Sequence, residues 1–187
     1  MNILYLSTKD QIDFHSDYPI KNQTITKTYE DIANETFNHQ EEKNKVYYLG
    51  NILLPPIFEH KVVTEQYEFF QAVDFYLHKN KHIDELHIFA YGWEHGVYLI
   101  RDDCNANCIV QAFDFGQWPN SFEGRIKKIK IWANRCGRKI KKDRECFAQD
   151  LAYLLRTNVE ATDNNIKPIF ENEHFLLKGD FKIYKGE

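Results

Sequence analysis

The sequence predicts an α/β fold with a mostly parallel central sheet flanked by helices, on three observations. Segments 64–79 and 143–157 carry apolar residues at helical spacing. Short β-branched and aromatic runs, bounded by Gly, Asn and Asp, alternate with them. Two of these runs, Leu86–Tyr91 and Ile126–Ala133, stop abruptly at polar, glycine-containing turns. A buried strand that delivers a loop to the edge of a sheet reads this way, and in an open α/β sheet that edge is where ligands sit. Strands alternating with helices imply right-handed crossovers and parallel pairing.

Taken in order, 2–7 reads as a short apolar first strand. Residues 8–45 are polar with little sustained periodicity, except for a short helix within 28–37. A strand is expected at 45–50, stopped by Gly50-Asn51, and Pro55-Pro56 marks a loop. The first helix has Phe69, Phe70, Val73, Tyr76 and Leu77 on one face, with Thr64 as N-cap. The strand 86–91 follows, then the turn Gly92-Trp93-Glu94-His95-Gly96 and a strand at 97–100. A short apolar run lies at 109–115, and the central strand at 126–133. The second helix lines up Phe147, Leu151, Leu154 and Leu155, with Asp143 as N-cap and Asn158 at C′. A short strand at 159–162 turns at Asp163-Asn-Asn. Residues 173–184 read as a C-terminal β-hairpin turning at Gly179-Asp180.

The length of 187 residues is that of a single domain, 1–187, with room for a real core. No window approaches the ~18 uninterrupted apolar residues of a membrane span. Asp10, Asp13 and Asp17 interrupt any signal-peptide pattern, so the expectation is a cytoplasmic protein or one exported without a cleaved signal. Cysteines 104, 108, 136 and 146 are too sparse for a disulfide scaffold. Neither Cys104-x-x-x-Cys108 nor His78-x-x-x-His82 has ligand partners at zinc spacing, so reduced thiols and no metal or cofactor are expected. Charge is segregated. Ten of the 24 basic residues, but only one of the 28 acidic ones, lie between Arg125 and Arg144. Such a stretch suits nucleic acid or another acidic surface, or is a solvated complement to the acidic remainder.

The pattern from Leu86 to Asp163 resembles the caspase-like cysteine peptidases, which include caspases, gingipains and the self-processing domains of large bacterial toxins. The stretches that carry the resemblance are Leu86-His-Ile-Phe-Ala-Tyr-Gly92, Gly96-Val-Tyr-Leu99, Ile129-Lys-Ile-Trp-Ala-Asn-Arg-Cys-Gly137, Phe147-Ala-Gln-Asp-Leu-Ala152 and Val159-Glu-Ala-Thr-Asp163. In the family, the first strand ends in His-Gly and the later one in the nucleophilic Cys. The resemblance places that histidine on Tyr91, before Gly92. With Gly137 on the motif's glycine, it places the nucleophile on Asn134. A phenol with pKa ~10 is a poor proton shuttle at neutral pH, and a carboxamide is no nucleophile.

The implied function is a catalytically degenerate caspase-like domain, a protein-binding or bacterial effector module. Its pocket would lie between the Tyr91–Gly96 turn and the 134–138 loop, with Gly92, Gly96, Arg135, Arg138 and Asp163 as binding residues. One alternative is an active cysteine endopeptidase, with Cys136 as nucleophile and His95 or His87 as base. Another is a binder of nucleic acid or acidic surfaces through Arg125–Arg144.

Overall fold

A computed structural model describes residues 2–16, 23–36, 57–99, 109–112, 118–140, 145–171 and 174–186. The described elements run in the order β1 (Asn2–Ser7), β2 (Gln11–Ser16), β3 (Gln23–Thr28), helix α1 (29–36), β4 (Ile57–Val62) and α2 (Gln66–Asn80). Next come β5 (Glu85–Phe89), β6 (Tyr91–Trp93), β7 (Gly96–Tyr98), β8 (Ile109–Gln111) and β9 (Lys128–Trp132). The remainder is α3 (Phe147–Leu155), β10 (Asn158–Thr162), β11 (Lys167–Glu171), β12 (His174–Lys178) and β13 (Phe181–Lys185). The strand expected at 45–50 and the residues Cys104, Cys108 and Asp143 lie outside the described residues.

Six strands form the central sheet in the order β13-β10-β9-β5-β1-β4. All neighbours pair parallel except β13, which runs antiparallel to β10. The chain therefore starts near one side of the sheet, adds β4 outside β1, then reverses and builds outward from β5. That reversal is a topological switch point.

Strand alternation sends successive side chains to opposite faces. Leu4, Leu6, Leu86, Ile88, Ile129, Ile131, Val159 and Ala161 enter one core with the buried faces of α2 and α3. Ile3, Tyr5 and Phe89 enter a second, smaller core on the other face, under Tyr29, Ile32 and Ala33 of α1. In α2 the inward residues are Phe69, Val73, Tyr76 and Leu77. In α3 they are Phe147, Ala148, Leu151, Ala152 and Leu155, all at helical spacing.

Several boundaries differ from the sequence expectation. Helix α2 begins after Glu65, because Thr64 gives both its N–H and its hydroxyl to the Glu68 carboxylate at 2.8 Å. Helix α3 stops before Arg156, whose left-handed backbone (φ 48°) turns the chain so that Asn158 already starts β10. The polar stretch after β1 contains an antiparallel hairpin, β2–β3.

Strands do form within 173–184, but they do not pair with each other as the expected C-terminal hairpin. Strand β12 pairs with β11, and β13 crosses to the edge of the central sheet beside β10. Two contacts account for the crossing. Phe181 sets its ring edge-on to Trp132, 4.9 Å between centroids, and the Tyr184 hydroxyl donates to the Gly137 carbonyl at 2.7 Å.

Candidate functional site

Strands β5 and β9 are neighbours, with Phe89 opposite Trp132 at their carboxyl ends. The two rings stack 5.5 Å apart at 10°, and His87 stacks on Trp132 one step below. This aromatic ladder brings both strands to the same edge in register. Beyond it the chains touch. A Cβ built on Gly92 would lie 2.6 Å from the Ala133 Cβ, 2.7 Å from the Cys136 sulfur and 2.9 Å from the Asn134 carbonyl oxygen. Only glycine lets the backbones approach this closely.

After Gly92 the chain makes a tight hairpin, β6–β7, with Tyr91 opposite Tyr98 and Trp93 opposite Gly96. Gly96 is also a close-approach position, because its Cβ would meet the Val110 carbonyl of β8. Tyr91 is half-buried, its ring 5.9 Å from Tyr98, and it packs against the second core.

The loop after β9 is held from outside itself. Asn134 accepts the Ile166 N–H through its amide oxygen at 2.7 Å. Arg135 adopts a left-handed backbone (φ 57°), uncommon for a residue with a Cβ. Its N–H donates to the Asn164 carbonyl at 3.0 Å, and its Nε to the Asn165 side chain at 3.1 Å. The Gly137 N–H reaches the Thr162 carbonyl at 2.9 Å, while the Cys136 carbonyl takes the Ala148 N–H at 3.0 Å. The Asn134 side chain is thus a structural acceptor that ties the β9 loop to the β10 loop.

Cys136 is completely buried in the larger core. Its thiol points inward and donates to the Gly96 carbonyl at 3.5 Å. Burial, and after it the neighbouring Cys146, push the thiol well above the usual cysteine range. Thiolate, the nucleophilic form, is negligible at neutral pH. His87 lies on the other face of the sheet. Its Nδ1 accepts the Trp132 indole N–H at 3.1 Å, so Nε2 carries the proton toward Glu85 at 2.9 Å. His87 and Cys136 therefore share no face. His95 sits in the hairpin turn with its ring 6.4 Å from Trp93, and the hydrogen-bond partner of the sulfur is a carbonyl.

Arg135, Arg138, Asp163, Asn164 and Asn165 line one groove at this edge. Asp163 is ion-paired with Lys182 of β13, whose ammonium holds the carboxyl below its ordinary range. Arg138 leans toward Glu94 of the hairpin at 3.6 Å. Asn164 and Asn165, read from sequence only as a turn, are the residues that join the two loops. Asn165 joins through its side-chain amide, a polar group just past the end of β10, whereas Asn164 joins through its backbone carbonyl and leaves no mark in the sequence.

Among the described residues, most of the basic stretch is already engaged. Lys128 and Lys130 flank Glu160 at 2.8 and 3.4 Å. Lys127 pairs with Asp84, and Lys139 with Glu145. The Arg125 guanidinium caps the end of α2 on the Leu77 and Lys81 carbonyls. Among the described residues no cluster of three or more His, Cys, Asp or Glu side chains is arranged to hold a metal ion, and no helix is long and apolar enough to cross a membrane. No protein-family model matches the sequence, and no curated protein matches it.

Proposed function

We propose that this chain is a caspase-like domain without peptidase chemistry, working as a protein-binding or effector module through the edge where β5 and β9 end. The observation that carries the reading is the β9 tip. At the position the resemblance gives to the nucleophile, the Asn134 amide oxygen accepts the Ile166 N–H, and the nearby sulfur of Cys136 is sealed and turned inward. The sheet order supports the fold half of the proposal, with an antiparallel strand closing the sheet beyond β10 and a small hairpin directly after β5. A peptidase at this edge needs a thiolate and an imidazole within hydrogen-bond reach, and among the described residues no such pair stands there. The braced loops at the same edge leave polar side chains, Arg135, Arg138 and Asn165, on a preorganised frame suited to recognition.

The test is labelling of native protein with an iodoacetamide probe, read by peptide mapping. Cys136 should stay unmodified until denaturant is added, and Cys136→Ala should bind partners as wild type does. Rapid stoichiometric labelling of native Cys136, with cleavage of a peptide library that Cys136→Ala abolishes, would overturn the proposal in favour of an active cysteine peptidase.

A further inference from the structure

We propose that the outer edge of β4 and the outer face of α2 form a self-complementary surface through which two copies of this chain pair. This surface flanks the side of the sheet away from β9 and β10, so the inference goes beyond the binding edge and does not depend on it.

Strand β4 ends the sheet on one side, and among the described residues it pairs only with β1. One bond sets the direction of its free groups. The Val63 N–H donates to the Ser7 carbonyl at 2.8 Å, and Ser7 stands opposite Val62. Alternate residues of a strand turn their backbone groups the same way. Those of Lys61 therefore face β1, and the N–H and carbonyl groups of Phe58, His60 and Val62 face outward. Such an edge is a template for another strand.

Helix α2 presents rings to water beside this edge. Tyr67 is 71 % and Phe75 60 % exposed, and among the described residues no other two exposed large apolar side chains share an element. Gln71 lies between them at four-residue steps and donates to the Tyr67 hydroxyl at 3.1 Å. Lys61, Val62, Gln71, Ala72 and Phe75 line a groove of about 380 Å3 that joins the strand edge to the helix face.

Symmetry selects a second copy as the occupant. Antiparallel pairing of β4 about His60 sets His60 opposite its counterpart, and Phe58 opposite Val62, in hydrogen-bonded pairs. Antiparallel approach of α2 about Gln71 sets Tyr67 against Phe75. The chain turns back between β4 and α2. At ~3.3 Å per strand residue and ~1.5 Å per helix residue, His60 and Gln71 both lie roughly 8–10 Å from that turn. One two-fold axis therefore serves both elements.

Area and charge agree with the symmetry. A lone peptide strand would cover the β4 edge and leave both rings in water. At about 200 Å2 per ring, two copies bury roughly 500 Å2 of ring surface, about half of the smallest specific interface. The paired edges and the filled grooves supply the remainder. The groove carries one cation, Lys61, and one carboxylate, Glu68, so two copies bring no excess of like charge together.

The test is light scattering on size-exclusion chromatography at about 100 μM, which populates a micromolar dimer. The native chain should elute at twice the mass of one chain, and a monomer there overturns the proposal. Phe75→Glu should weaken the dimer about tenfold or more. Val62→Pro, which removes an outward N–H and no bond to β1, should do the same. Ile183→Glu, on the opposite edge strand β13, should leave the dimer intact. A dimer that Ile183→Glu dissolves, or that either folded β4 or α2 variant leaves unchanged, overturns the surface. Circular dichroism checks each fold. If Val62→Pro misfolds, hydrogen exchange of the native chain replaces it. The His60 and Val62 N–H groups should then exchange more slowly at about 100 μM than at about 1 μM, and equal rates overturn the strand pairing.

Discussion

The two loops that meet at the sheet edge are built on opposite plans. After β5 the chain folds back on itself as β6–β7, and the centre of this loop is a pairing within a few residues of sequence. After β9 the chain makes no hairpin. Its shape is imposed by the Ile166 and Ala148 N–H groups, by the Thr162 and Asn164 carbonyls, and by the phenol of Tyr184. One loop is centred on a local hairpin that β8, the Phe147 N–H and the Cys136 thiol brace from outside, while the other has no local pairing and is assembled from four parts of the chain. The comparison teaches that only the first is a motif in the sequence sense. The second exists once β10, α3 and β13 have docked.

The strongest way to break this arrangement is at the point of contact. Gly92→Ala places a methyl group against the Ala133 Cβ, the Cys136 sulfur and a backbone oxygen, none of which is a flexible side-chain tip. Overpacking of this kind costs about 3 kcal/mol. A urea unfolding midpoint lowered accordingly, with both loops losing hydrogen-exchange protection, is the expected result. A smaller change separates the loops. Asn134→Ala strips the acceptor from the Ile166 N–H and should cost about 1–2 kcal/mol. Exchange should speed up at Ile166 and around Arg135 while the β6–β7 hairpin keeps its protection. Equal loss in both would show that the hairpin depends on the bracing of the β9 loop.

The smallest effect comes from pH, and it should move both loops together, because His87 lies beneath both strand ends. Burial holds its imidazole below the ordinary histidine value of 6.5; hydrogen bonding and charge from Glu85 oppose that, while Lys130 and Lys128 reinforce it. His60, hydrogen-bonded to Ser7, is also lowered, again chiefly by burial. With a depressed folded pKa, the unfolded chain takes up the proton first as pH falls. Stability is therefore full above about 6.5 and declines below it. Urea midpoints between pH 7.5 and 5.5 should fall for wild type and fall less for His87→Gln.

The legible parts of this fold are those whose pattern repeats. Phe69, Val73 and Leu77 announce α2, and Ile129 and Ile131 announce β9, because each contributes several apolar residues to one core. The β2–β3 hairpin escapes notice because Ile12 and Ile25, at the rim of the second core, give too short a pattern to read. Gly179-Asp180 has the composition of a hairpin turn, yet tertiary contacts of Phe181 and Tyr184 decide the partner of β13. At the site, the sequence marks Gly92, Asn134 and Arg135 by their place at strand ends. It is silent on Ile166 and Asn164, which act through backbone groups that every residue possesses. Nor does it reveal which way the Cys136 sulfur turns, since that depends on how closely Gly92 approaches.

That close approach has a consequence of its own. Where Gly92 meets Cys136, the quietness of the thiol comes from enclosure rather than from any chemical defect of cysteine. The sulfur becomes an ordinary, alkylatable group each time the strand ends part. Its slow modification by a small electrophile would then act as a clock for the breathing of this edge, ticking faster whenever the bracing from β10 or β13 is loosened.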